Sequence, residues 1–154
     1  MKKTAEVLAT WFGCGYAPKG PGTVGSLGAL VPAILLAHCA GFLPWGFAIL
    51  AALGFAPAVW AAGVVAREKQ TTDPQIVVVD EVIGQWLTIA GATSLNWKSW
   101  TAAFVLFRLF DIWKPWPVNR LESLHGGLGI VADDAMAGVY GALVLFAAGC
   151  FNLY

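Results

Sequence analysis

Between Val24 and Ala66 the sequence contains no Asp, Glu, Lys or Arg, a gap about twice the ~20 residues a helix needs to cross a bilayer core. Charge is scarce throughout: 12% of the 154 residues are charged, 58% are hydrophobic, and the mean hydropathy is +0.71. So little polar surface cannot coat a water-soluble globule. Nine basic residues offset nine acidic ones, so no net field draws the chain to nucleic acid. The three cysteines, Cys14, Cys39 and Cys150, are scattered and lack metal-ligand or Cys-x-x-Cys spacing, which leaves them as small core hydrophobes. A cleaved secretion signal is not expected, because Glu6 interrupts the first apolar run and Pro18 soon breaks it. Cys14, preceded by Trp11-Phe12-Gly13, is a poor lipoprotein-type processing site.

What is present is a series of apolar segments. The charge-free stretch divides at Ala40-Gly41-Phe42-Leu43-Pro44, where glycine and proline turn the chain between two helices. Further segments run from Ile76 to Leu95, from Trp97 to Trp113 and from Ala135 to Leu153. Hydrocarbon offers the backbone no hydrogen-bond partner, so each segment is expected to be helical. The fold class is therefore all-α: one domain over residues 1–154, a polytopic membrane helical bundle of about five apolar helices, with four if Trp97–Trp113 is only partly embedded. The β-branched run Ile76-Val77-Val78-Val79 resists helix formation in water, and the membrane is expected to override it. Ala137 and Gly141, at small-x-x-x-small spacing, would let helices approach closely. Trp45, Trp97, Trp113 and Trp116 fall near the ends of segments, as interfacial anchors do. With the N-terminus cytoplasmic, Lys2, Lys3, Lys19, Arg67, Lys69, Lys114 and Arg120 all lie inside, against Lys98 alone outside.

On that topology the acids gather. Asp80 and Glu81 begin the third segment, Asp111 ends the fourth, and Asp133 and Asp134 precede the fifth. Five carboxylates thus converge on the cytoplasmic membrane face, at the edge of a medium where each is expensive without a wet cavity or a cation. Like charges at close range repel, so a divalent ion among them is the economical resolution. An oxygen-only donor set, with no paired His or Cys, favours Mg²⁺ or Mn²⁺ over zinc. Arg108, Asp111 and Lys114 recur at i, i+3 and i+6 on one helical stripe. Arginine grips a phosphate through two oxygens and lysine adds a point charge. Lys19, Thr23 and Ser26, with the amides around Gly20-Pro21-Gly22, open the first span on the same side and would cradle a phosphate there.

Plainer readings stand beside these. Arg108 and Asp111 also fit a structural ion pair, Asp133 also fits an N-cap of the fifth helix, and glycines 13 to 28 also fit a turn with helix packing. His125 is expected to be structural or interfacial rather than a base. Glu6, Glu68, Asp73 and Glu122 are expected as solvated charges. Two histidines, His38 and His125, are too few for a phosphohistidine route. Cys14 has Gly20 where a Cys-x5-Arg loop needs arginine, and neither an Asp-x-Asp pair nor a Gly-x-Ser-x-Gly elbow occurs.

Four blocks then resemble one family in order: Pro18-x-x-Pro21-Gly22-Thr23-x-Gly25-Ser26-Leu27, Val79-Asp80-Glu81-x-x-Gly84, Phe107-Arg108-x-x-Asp111-x-x-Lys114-Pro115-x-Pro117, and Gly127-x-Gly129-Ile130-x-x-Asp133-Asp134-x-x-Ala137-Gly138. They are similar to the phosphatidylglycerophosphatase A family. The resemblance implies a magnesium-dependent membrane phosphatase that converts phosphatidylglycerophosphate to phosphatidylglycerol, at the inner membrane. The residues expected to serve it are Asp80, Glu81, Asp111, Asp133 and Asp134 toward one or two Mg²⁺ ions, with one of these acids, Glu81 for instance, as general base. Arg108, Lys114, Lys19, Thr23 and Ser26 are expected to serve the phosphate of an anionic phospholipid. Two alternatives remain open at this level: phosphotransfer to an alcohol on a lipid head group, and a small cation transporter or channel subunit.

Overall fold

In the computed structural model, which describes residues 2–121 and 123–154, the chain is helical with no strand among the described residues. Glu122, expected as a solvated charge, lies outside them. The helices are α1 (Lys2–Ala9), α2 (Pro21–Ala40), α3 (Pro44–Lys69), α4 (Val79–Ala90), α5 (Trp97–Trp113), α6 (Val118–Leu121) and α7 (Gly127–Cys150), with a 3₁₀ turn at Cys14–Tyr16.

Local chemistry sets the boundaries. Pro21 and Pro44 occupy the first turns of α2 and α3, where their missing N–H costs nothing. Gly41 ends α2 in the left-handed conformation (φ 63°), and the Phe42 amide bonds back to the Leu36 carbonyl. Asn96 caps α5 by accepting from the Lys98 and Ser99 amides, and the Ser99 hydroxyl accepts from the Asn96 amide in return.

Three helices, α2, α3 and α7, with 20, 26 and 24 residues, are long and apolar enough to cross a membrane. That is fewer than the five apolar segments suggested. α5 has 17 residues. The segment 76–95 is helical only over Val79–Ala90, about 18 Å at ~1.5 Å per residue, too short to cross a ~30 Å core alone. The β-branched run stays out of the helix at its start: Val78 is the N-cap at φ −141°, ψ 8°, and its amide bonds to the carbonyl of Ala9 at the end of α1. The last helix is corrected in the other direction. It begins at Gly127 rather than Ala135, because Gly127 has no side chain to keep it from α3; a Cβ there would lie 2.0 Å from the Val59 carbonyl oxygen. Asp133 and Asp134 are therefore inside α7, and its N-cap is Gly126. The N-capping reading of Asp133 is overturned.

The short α4 is the hub, packed against α2, α3, α5 and α7. Its approach to α7 is close because glycines face each other. A Cβ on Gly138 would sit 2.4 Å from the Gly84 carbonyl oxygen, and one on Gly141 would sit 2.7 Å from the Thr88 hydroxyl oxygen. That hydroxyl is shared between the carbonyls of Gly84 at 3.0 Å and Gly138 at 3.1 Å. Ala137 is buried with Phe107 and Val118. Outward, α2 exposes Leu27, Val31 and Leu35, α5 exposes Val105, Leu109 and Ile112, and α7 exposes Leu143 and Phe146, an apolar exterior suited to lipid. Trp45, Trp97, Trp113 and Trp116 are exposed as well.

Filling the α4–α7 contact is expected to be costly. Gly138→Ala should destabilise the protein by about 1–3 kcal/mol through overpacking against backbone, read as a lower thermal unfolding midpoint in detergent. An unchanged midpoint would show that the two helices are not held at this spacing.

Candidate active site

At one end of the bundle the beginnings of α2, α4 and α7, the end of α5 and the loops beside them enclose a cavity of about 1000 Å³. Each element delivers a polar group by its register. On α4, Asp80 and Glu81 lie in the first turn, where the helix dipole favours acids. On α5, Arg108, Asp111 and Lys114 sit at the C-terminal end, Lys114 itself closing the helix at φ 45°. On α7, Asp133 and Asp134 lie two turns past Gly127. Asp80, Asp133 and Asp134 are buried, at 8%, 4% and 5% exposure.

The five acids separate into two kinds. Asp111 pairs with Arg108, Oδ2 to Nη1 at 2.7 Å, and Glu81 Oε1 lies 3.7 Å from the same nitrogen. Asp133 accepts from Lys114 Nζ at 2.7 Å and, through its other oxygen, from the Asp134 amide at 3.0 Å. Asp80, Glu81 and Asp134, in contrast, bring one ligand atom each to within 4.8 Å of one another. Asp80 Oδ1 and Glu81 Oε2 are buried without a hydrogen-bond partner, and Asp134 carries the repulsion of Asp111, Glu81 and Asp133. Three crowded carboxylates, two of them with an unpartnered oxygen, form a donor set that fits a hard divalent cation such as Mg²⁺.

The floor of the cavity under α2 is backbone. Gly22 has no side chain, and a Cβ there would lie 2.1 Å from Glu81 Oε1 and 3.1 Å from Arg108 Nη1. The first turn of α2 has no side-chain cap, which leaves its amides directed outward beside Arg108. The expected phosphate residues on this helix are placed differently. Lys19 and Thr23 are exposed and outside the cavity lining, and the buried Ser26 hydroxyl donates to the Gly22 carbonyl of its own helix.

Two features were not legible in the sequence. His125, read there as structural or interfacial, lines the cavity at its exposed outer edge with Ser123, Gln75 and Tyr16. Gln85, one helical turn past Glu81, is fully buried with neither amide atom partnered. A lone glutamine in an otherwise apolar segment was the available signal. Asp73, expected as a solvated charge, is exposed and lines the same cavity.

Comparison with known proteins adds an independent line. The model of the phosphatidylglycerophosphatase A family matches residues 7–149. Phosphatidylglycerophosphatase A of Escherichia coli is 37% identical over 97% of this chain and 86% of its own length. Phosphatidylglycerophosphatase A of Haemophilus influenzae is 36% identical over 92% of this chain and 86% of its own. A Bacteroides thetaiotaomicron protein provisionally named phosphatidylinositol-3-phosphatase is 38% identical over 90% of this chain and 89% of its own. No solved structure matches. The chain belongs to the phosphatidylglycerophosphatase A family.

The Lys114–Asp133 pair gives a stability test. Lys114→Met strands a buried carboxylate and should cost about 3–5 kcal/mol, whereas adding Asp133→Asn to it should recover most of the loss in a detergent unfolding assay. Equal destabilisation of the single and double variants would show that the pair is not coupled.

Proposed function

We propose that this chain is a phosphatidylglycerophosphatase: a Mg²⁺-dependent phosphoric monoester hydrolase that takes the terminal phosphate from phosphatidylglycerophosphate and leaves phosphatidylglycerol. Family membership supports the reaction. The observation that carries the mechanism is the Asp80, Glu81 and Asp134 trio, its ligand atoms within 4.8 Å of one another, beside Arg108 and Lys114 in one cavity.

Asp80, Glu81 and Asp134 would hold the ion, with Asp111 and Asp133 close enough in the cavity to contribute through water. Bound there, Mg²⁺ supplies charge that polarises a phosphoryl oxygen and acidifies a water. The chain does the rest. Arg108 and Lys114, aimed by Asp111 and Asp133, neutralise phosphate oxygens as negative charge develops. The uncapped amides at the start of α2 complete the cradle. Glu81 takes the proton of the attacking water through the carboxylate oxygen that the ion would leave free. The lipid's acyl chains stay beside the apolar helices, so only the head group enters.

The excess of lysine and arginine at the cavity end supports a cytoplasmic N-terminus and an active site on the cytoplasmic face of the inner membrane. A cation transporter needs polar groups through the depth of the bilayer. Here the buried charged residues, Asp80, Asp133 and Asp134, all line one end cavity, which favours chemistry over passage.

Phosphate release from phosphatidylglycerophosphate in micelles tests the assignment. It should require Mg²⁺, stop with chelator, and fall on the order of 100-fold or more in Asp80→Asn and Asp134→Asn. Mn²⁺ binding, followed by its electron spin resonance, should weaken in the same variants. Release that persists in chelator would remove the metal; preferential release from phosphatidylinositol 3-phosphate would transfer the substrate to the other head group; added alcohol captured as a new phosphate ester would make the enzyme a phosphotransferase.

A further inference from the structure

Resting on the hydrolase reading above, we infer that His125 is the acid that protonates the departing alcohol. Hydrolysis of an alkyl phosphate monoester must expel an alkoxide, a poor leaving group unless a proton reaches its oxygen as the bond breaks. In-line displacement puts that oxygen opposite the attacking water. The carboxylates that activate the water form the inner wall, where Asp80, Asp133 and Asp134 are buried. The leaving oxygen therefore faces the mouth. This direction also suits the substrate, because the rest of the lipid hangs from that oxygen and has to leave the cavity outward.

The side chains available at and near the mouth narrow the choice. Arg108 does not surrender its proton. Lys114 Nζ is bound to Asp133 at 2.7 Å. The Tyr16 hydroxyl donates to Glu6, and the Ser123 hydroxyl donates to the Arg120 carbonyl at 2.7 Å. The amide of Gln75 is no acid, the Thr72 hydroxyl is too weak a one, and the exposed Asp73 sets a negative charge toward Asp80 rather than carrying a proton. His125 lines the cavity and is exposed, and imidazole is the side chain suited to carrying and releasing a proton near neutrality. Its position is fixed by the same helix that carries the inner acids. Gly126 follows at φ 69°, a conformation other residues adopt only with strain, and Gly127 is seated against Val59 and Gly63 of α3. α7 thus presents an acid cluster within and an imidazole at its rim.

The step balances. The water oxygen bonds to phosphorus and its proton passes to Glu81. The bond from phosphorus to the glycerol oxygen breaks, its electron pair stays on oxygen, and the His125 N–H proton neutralises it. Glu81 then releases its proton to solvent and the imidazole regains one from solvent.

The test compares two monoesters of matched chain length, an alkyl phosphate and a nitrophenyl phosphate whose leaving group departs without a proton. In His125→Gln the alkyl ester should slow about 10²- to 10⁴-fold, while the nitrophenyl ester should stay within about tenfold of wild type. A parallel fall on both, or no fall on the alkyl ester, overturns the assignment. Wild-type protein gives a second measurement that needs no variant: across a series of leaving groups its rate should depend only weakly on their acidity, and a steep dependence also overturns it. Wild-type activity on both model esters without release from phosphatidylglycerophosphate would count against the lipid substrate and leave the His125 comparison decisive. Inactivity on every monoester would overturn both.

Discussion

Electrostatic repulsion among carboxylates held in one apolar bundle is the constraint on which the rest of this structure depends. Six acids line the cavity at one end, Asp73 at its exposed edge and the other five deeper, with Arg108 and Lys114 paired among those five. Removing such charges from water costs several kcal/mol each unless they are paired. Pairing is unequal: Asp111 and Asp133 have strong partners at 2.7 Å, and Glu81 shares Arg108 at a looser 3.7 Å. Asp80, Glu81 and Asp134 retain the uncompensated charge, which is the physical reason to place a divalent cation among them rather than elsewhere in the cavity.

The packing exists to bring those groups together. Acids on α4 and α7 come within ligand distance because Gly84 and Gly138 let the two backbones meet, with Thr88 bonded across the seam. In a bilayer such contact is favoured by close packing and interhelical hydrogen bonds rather than by expulsion of water. The shortness of α4 belongs to the same design. Its first turn starts at the cavity because Ile76–Val78 stay outside the helix, with the Val78 amide bonded to Ala9 of α1, so Asp80 and Glu81 receive the favourable end of the helix dipole. A helix continued upstream from Ile76 would have placed both acids mid-helix.

Much of this was legible in the sequence, and what was not has identifiable causes. The all-helical class, the break at 41–43 and the exact limits of α5 followed from hydropathy, glycine and proline. Convergence of acids from separate segments followed from topology. Expecting the membrane to override β-branched propensity failed at Ile76–Val78, because the Val77 amide bonds back to Pro74 and the Val78 amide to Ala9 of α1 instead of into a helix. The start of α7 was set too late because Gly126, Gly127 and Gly129 resemble a loop until α3 is seen to need a surface without side chains. Lys19, Thr23 and Ser26 were grouped by proximity in sequence, yet a helix starting at Pro21 turns Thr23 outward and engages Ser26 with its own backbone. His125 was passed over because a lone histidine beside two glycines has no helical register to aim it.

These particulars bear on how selectivity divides within the site. The inner half of the cavity is carboxylate, guanidinium and ammonium, a chemistry common to any phosphate monoester; nothing there reads glycerol. On the proposed reading the outer half, with Gln75, Thr72, Asp73, Ser123 and His125, would meet whatever the phosphate is attached to. Changing a neutral rim group would then alter which alcohol is held without disturbing the charge balance that keeps the inner acids in place.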